Sequence, residues 1–228
     1  MRFHQFCAPL AFCLALAGCA NGNTDLAQGL NVSWSAGAAK RIVMVDPDVE
    51  LSELTMGGIT EARADWTATG KTFVRDDIIS TLAAKGIDVA AADPPTDPRE
   101  VQLVKLHGAV GASIFLNTLL QLPTKKKNFD WTLGPGVSAL RDHYKGDYAL
   151  FVYIRDSYSS GGRILLQLGA AALGVGVSGG QQVGFASLVD LRTGQIVWFN
   201  RLGNATGSLK DAKGATTTVT RLLSGLPL

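Results

Sequence analysis

Four groups of residues have types and spacings that could do chemistry. Gly70-Lys71-Thr72 ends like a phosphate-binding loop, in which backbone N–H groups and a lysine cradle phosphates. That pattern needs a glycine five positions before Gly70, and Asp65 stands there with a carboxylate that repels phosphate. The segment around it also reads as helix. Gly174-Val175-Gly176-Val177-Ser178-Gly179 matches G-x-G-x-x-G, a turn that brings a pyrophosphate to a helix N-terminus. A strand beginning near Gln182 follows here instead of a helix, so a structural turn is expected. His143, Asp142 and Ser157 have the residue types of a hydrolytic triad but no nucleophile-elbow context. Asp156, Ser157 and Tyr158 close a strand and line either a cleft or the start of a polar loop. Beyond the first eighteen residues the histidines are His107 and His143, read as surface or helix-end residues. Zinc needs three or four ligands in one cluster, so neither a metal nor a cofactor is expected.

Cys19 is the residue with the clearest chemistry. Arg2 precedes an apolar run from Phe6 to Leu16, the charge and hydropathy layout of a secretory signal. The run is well short of the about 20 residues a spanning helix needs. Leu16-Ala17-Gly18-Cys19 then resembles the lipobox of bacterial lipoproteins. The resemblance implies that residues 1–18 are removed and that the Cys19 thiol and amine are acylated. Several acyl chains anchor stably where one binds only marginally. Ala20 in place of Asp implies, by the same resemblance, delivery to the outer membrane facing the periplasm. Cys7 and Cys13 leave with the signal, so the mature domain has no thiol for disulfides, catalysis or metal binding.

The composition is 46% hydrophobic and 18% charged, which suits a chain with a substantial core. With Arg2 removed, 20 basic residues face 19 acidic ones, and nothing in this balance points to nucleic acid. Lys125-Lys126-Lys127 reads as a solvated loop. Residues 19–39, rich in Gly, Asn, Ser and Ala, read as a lipidated flexible tether, and 40–228 as one periplasmic α/β domain.

The elements follow from periodicity and punctuation. Arg41 to Val45 predicts a strand ended by Asp46-Pro47. Trp66, Phe73, Ile78, Ile79 and Leu82 predict a helix with Gly86 past its end. Ile87 to Ala92 predicts a second strand, and Asp97-Pro98 opens a helix carrying Val101, Val104, Ile114 and Phe115. Val137, Leu140 and Tyr144 share a short helix ended by Gly146. Tyr148 to Arg155, Val183 to Leu191 and Gln195 to Arg201 read as strands, the last two joined at Arg192-Thr193-Gly194. Leu209 to Leu223 closes as a helix. The expectation is α/β or α+β, a mixed β-sheet flanked by helices.

Ile164 to Val189 is the longest charge-free run beyond the signal. Three placements are open: a buried helix or hairpin, a surface element that docks on a partner, or a segment that enters the membrane. For the docking case Leu168, Ala171, Leu173 and Val175 are the candidate contact residues.

Gly146-Asp147-Tyr148-Ala149-Leu150 and Gly184 to Trp198, with its D-x-x-T-G turn Asp190-Leu191-Arg192-Thr193-Gly194, resemble the curli-secretion lipoprotein (CsgG), the TolB amino-terminal domain and related envelope lipoproteins. The resemblance implies an α/β domain used for protein–protein assembly, with an envelope partner or copies of itself. It gives no licence for a pore, because Ile164 to Val177 lacks the alternation a membrane strand needs. The expected role is a non-enzymatic assembly or accessory factor. A small-ligand binding or sensing lipoprotein is the alternative. A periplasmic hydrolase using Asp156, Ser157 or His143 stands behind both.

Overall fold

The computed structural model describes residues 24–26, 32, 41–125, 129–202 and 207–228. The expected signal, Cys19 and most of the expected tether lie outside the described residues; within the tether, Thr24–Leu26 depart from the expectation by pairing as a strand with residues 198–200.

The spine of the sheet is β6 (Tyr148–Ser159). One edge of it pairs antiparallel with β7 (Gln182–Asp190), from Tyr148↔Asp190 to Asp156↔Gln182. The other edge is met by two parallel strands in succession. First comes β2 (Arg41–Met44), with Ile42 opposite Tyr148, and then β3 (Asp48–Leu54), with Leu54 opposite Ser159. The chain steps between them at Asp46-Pro47, where proline has no N–H to donate. Outside β7 lies β8 (Ile196–Leu202), and outside β8 lies β1 (Thr24–Leu26), both antiparallel to their neighbours. β5 (Asp88–Ala91) flanks β2, and β4 (Thr60–Ala62) folds back on β3.

Helices cover both faces. α1 (Ala64–Ala84) and α5 (Ala212–Leu222) press Val74, Ile78, Leu82, Val219 and Leu222 onto Ile42, Leu150, Leu188 and Trp198. α2 (Pro98–Leu120), α3 (Ser138–Tyr144) and the 3-10 turn before α3 press Leu103, Ile114, Leu140 and Val137 onto Val43, Ala149, Phe151 and Phe199. Successive residues of β6 alternate between these two cores, so the strand is apolar throughout its first half rather than every second residue. The mixed sheet flanked by helices is therefore the expected class.

Helix punctuation mostly follows the expected chemistry. Asp97 accepts the Arg99 N–H at 2.8 Å, with Pro98 in the first turn. Gly86 takes a left-handed φ of 73° and its N–H reaches the Ala83 carbonyl at 2.9 Å. Gly146 is different. The residue that turns left-handed after α3 is Lys145, and Gly146 instead makes room for Val43, whose Cγ2 would sit 2.7 Å from a β-carbon there. β3 and β4 were not expected. Asp48-Val49-Glu50-Leu51-Ser52-Glu53-Leu54 carries three carboxylates, and its strand character depends on a partner in β6 a hundred residues away.

Candidate functional site

After β6 the chain leaves the sheet and returns as β7, and the excursion carries α4 (Gly161–Ala172). Ser160 caps the helix, its hydroxyl accepting the Arg163 N–H at 3.2 Å. Gly174 ends it, at φ 76°, with its N–H on the Ala171 carbonyl. The return passes Gly180, where a β-carbon would lie 2.0 Å from the Ser157 carbonyl oxygen, so only glycine lets the chain come back this close. Arg163 ties the excursion down. Its guanidinium donates to the Ser178 carbonyl at 2.8 and 3.1 Å and to the Met56 carbonyl at 3.3 Å.

No residue of α4 is buried. The reading of this stretch as an internal packing element is therefore corrected for its helical part: the charge-free run makes an external helix before it re-enters the sheet as β7. Leu168, Ala171, Leu173 and Val175 are all exposed at the end of α4 and in the turn beyond it, Leu168 at 65% and Leu173 at 83%. Leu165 joins them at 71%.

Other elements bring aliphatic side chains to the same pole. β3 runs parallel to β6, so the turn after Leu54 lies beside Ser159 and presents Met56 and Ile59. α2 starts beside α3, with Glu100 against His143, and runs toward the far end of β6 and the beginning of β7. There Ala112, Phe115 and Leu116 meet Tyr153, Val183 and Phe185 around an apolar groove of about 310 Å³. Leu120 and Leu122 follow at the helix end, both exposed. Of the large exposed aliphatics among the described residues, Leu106 alone sits earlier, midway along α2.

A polar cleft of about 390 Å³ adjoins the pole, lined by Asp156, Ser157, Tyr158, Gln182, Gly207 and Ser208 among others. The Tyr158 hydroxyl and the Gln182 amide both donate to Asp156 Oδ2, the amide at 2.8 Å. Gln182 also reaches the Gly207 carbonyl at 2.9 Å, and the Leu209 N–H donates to the Tyr158 oxygen at 2.7 Å. Burial raises the Asp156 carboxyl above the usual range, while the bonds from Tyr158 and Gln182 oppose that rise. The Tyr158 phenol is pushed up by burial and then by the carboxylate beside it. These groups bond one another and staple β6, β7 and the segment before α5 together.

The residues that invited a catalytic reading are not brought into one site. Ser157 shares two hydrogen bonds with the backbone of Gln181. His143 is on α3, before β6 begins, and Ser157 is ~30 Å further along that strand. His143, Asp142 and Ser157 therefore form no triad. Gly70-Lys71-Thr72 lies inside α1, with Lys71 paired to Asp46 at 2.5 Å. Gly174 to Gly179 is the turn expected of it, between α4 and β7.

His107 corrects a second expectation. Far from the surface, it is buried in α2, its Nε2 2.9 Å from Ser187 Oγ and its ring stacked on Phe151. Burial lowers its pKa to about 3. Among the described residues no group of three or more His, Cys, Asp or Glu is placed to hold a metal, and no helix is long and apolar enough to cross a membrane.

No protein-family model and no curated protein matches the chain. Among solved structures, a PelC dodecamer from Paraburkholderia phytofirmans is similar at 16% identity, over 91% of this chain and 98% of that one, with a TM-score of 0.39. A single-substitution form of that dodecamer gives 16% identity, 89% and 96% coverage, and a TM-score of 0.41. Likeness this loose transfers neither identity nor function.

Proposed function

We propose that this chain is a lipid-anchored accessory factor of the bacterial outer membrane, working by docking and protein contact rather than by catalysis. The observation that carries the proposal is α4, a helix with no buried residue and with Leu165, Leu168, Leu173 and neighbouring Val175 exposed. Contiguous apolar surface of this kind on a soluble domain marks an interaction site. Lipid on Cys19 holds the domain in the envelope, its apolar pole is covered there, and the remaining faces are free for envelope proteins or further copies.

Two measurements test this. Radiolabelled palmitate should enter the wild-type protein and not the Cys19→Ser variant, whose domain should still fold. Next, Leu173→Cys supplies the only free thiol of the mature lipoprotein. A membrane-impermeant maleimide should label it in detergent-purified protein and fail to label it in opened envelopes. Equal labelling in both would refute docking through α4.

A further inference from the structure

We infer that what covers this pole is the lipid bilayer itself, against which the domain lies with α4, the β3–β4 turn and the end of α2 facing the membrane. The inference rests on the reading that Cys19 is lipidated.

The chain leaves the fold beside this pole. β1 is antiparallel to β8, with Thr24 opposite Asn200 and Leu26 opposite Trp198. The chain before Thr24 is therefore aimed toward the Leu202 end of β8. Leu202 pairs with Gly184, at the edge of the apolar groove, and β7 begins there on its return from α4. Ala20 to Asn23 are the only residues between Cys19 and Thr24. Five steps of chain reach at most about 18 Å. A lipid on Cys19 thus inserts beside this pole, and the opposite end of the sheet cannot be the one apposed to the membrane.

Three segments distant in sequence converge on the pole, and none carries a charge: Leu54 to Thr60, Ala112 to Thr124 and Ile164 to Val183. Their large exposed side chains are Leu, Ile, Val and Met, with no exposed aromatic among them. Protein interfaces draw their binding energy from Trp, Tyr and Arg, with Leu and Val under-represented. Leucine on one face of a short amphipathic helix suits burial at the acyl boundary. α4 carries no lysine or arginine beyond the engaged Arg163, and Lys125 beside the end of α2 is paired with Asp130, so the contact through α4 is apolar and should be insensitive to salt.

α4 is about 18 Å long. Arg163 fixes it by bonds to both the return loop and the β3–β4 turn, so α4 and these two segments form one surface. Such a surface can settle onto a plane without refolding.

The test uses the lipidated protein, labelled with a polarity-sensitive fluorophore at Leu173→Cys or, at the opposite pole, at Asp142→Cys. Both positions are exposed, so neither change disturbs the core. Each is reconstituted into phosphatidylethanolamine–phosphatidylglycerol vesicles whose acyl chains carry a nitroxide quencher. The expected result is several-fold quenching at Leu173 and none at Asp142, unchanged in 1 M salt (~3 Å screening length). Absent or equal quenching at the two positions overturns the inference. Protection from maleimide in native envelopes without quenching in vesicles would assign the pole to a protein, leaving the docking reading intact. Labelling in both settings would remove both. Protein that takes up no palmitate and never reaches the vesicles would defeat the anchor and this orientation with it.

Discussion

His107 and Ser187, eighty residues apart in sequence, meet inside the core through a 2.9 Å contact between Nε2 and Oγ. The imidazole is held between Phe151 and Phe185, and that burial brings its pKa from 6.5 to about 3. The folded protein therefore keeps the ring neutral where the unfolded chain protonates it. Below pH 6.5 the unfolded state binds the extra proton, so stability falls as pH drops, until the folded ring also protonates near 3. At pH 5 this single residue lowers stability by about 2 kcal/mol relative to pH 7.5. Urea unfolding at the two pH values should show a loss that the His107→Gln variant, which does not titrate, lacks. Equal slopes in the two proteins would exclude His107 as the source.

Two glycines on helices should respond in opposite directions to the same change. A β-carbon on Gly111 would lie 2.0 Å from the Phe185 ring, between α2 and the sheet. Gly111→Ala should cost about 1–3 kcal/mol through overpacking. Gly169 on α4 has open space around it, and Gly169→Ala should stabilise by about 0.5–1 kcal/mol through helix propensity. Thermal unfolding of both variants checks the contrast.

Tyr158→Phe removes the hydroxyl shared between Asp156 and the Leu209 N–H. A destabilisation of about 1–3 kcal/mol is expected, since the buried carboxylate and amide each lose a partner. Hydrogen exchange at the Leu209 amide should accelerate in the variant. An unchanged rate there would show that the cleft is closed by other means.

Leu168→Glu and Leu173→Glu should leave thermal stability within about 0.5 kcal/mol of wild type, because both side chains are already exposed. The same changes should weaken attachment of the non-lipidated Cys19→Ser protein to vesicles by about tenfold each, as expected for lost apolar burial. A large fall in melting temperature would mean these leucines support the fold.

Much of the scaffold can be read from the sequence because its signals are local. Asp97-Pro98 and Gly86 mark helix ends by capping chemistry, and Thr193-Gly194 marks a hairpin, wherever the rest of the chain goes. β3 escapes such reading because its carboxylates mask a strand that only β6 makes favourable. His107 had a readable signal. Leu103, His107, Gly111 and Ile114 follow helical spacing on one face of α2, so the histidine shares the stripe of the two core residues. α4 is the opposite case. Absence of charge fits burial in the protein as well as burial outside it, and the distinction depends on the space left between Ser159 and Gln182 once β6 and β7 pair.

The three residues of β1 also have a protective role. β8 is among the most hydrophobic strands of the sheet, with Val197, Trp198 and Phe199 buried, and Thr24–Leu26 occupy its outer hydrogen-bonding edge. A protein shortened to residue 40 would leave that edge open for the β8 of another molecule, the usual start of strand-to-strand aggregation. Recombinant work on this domain should keep the chain from Ala20 onward.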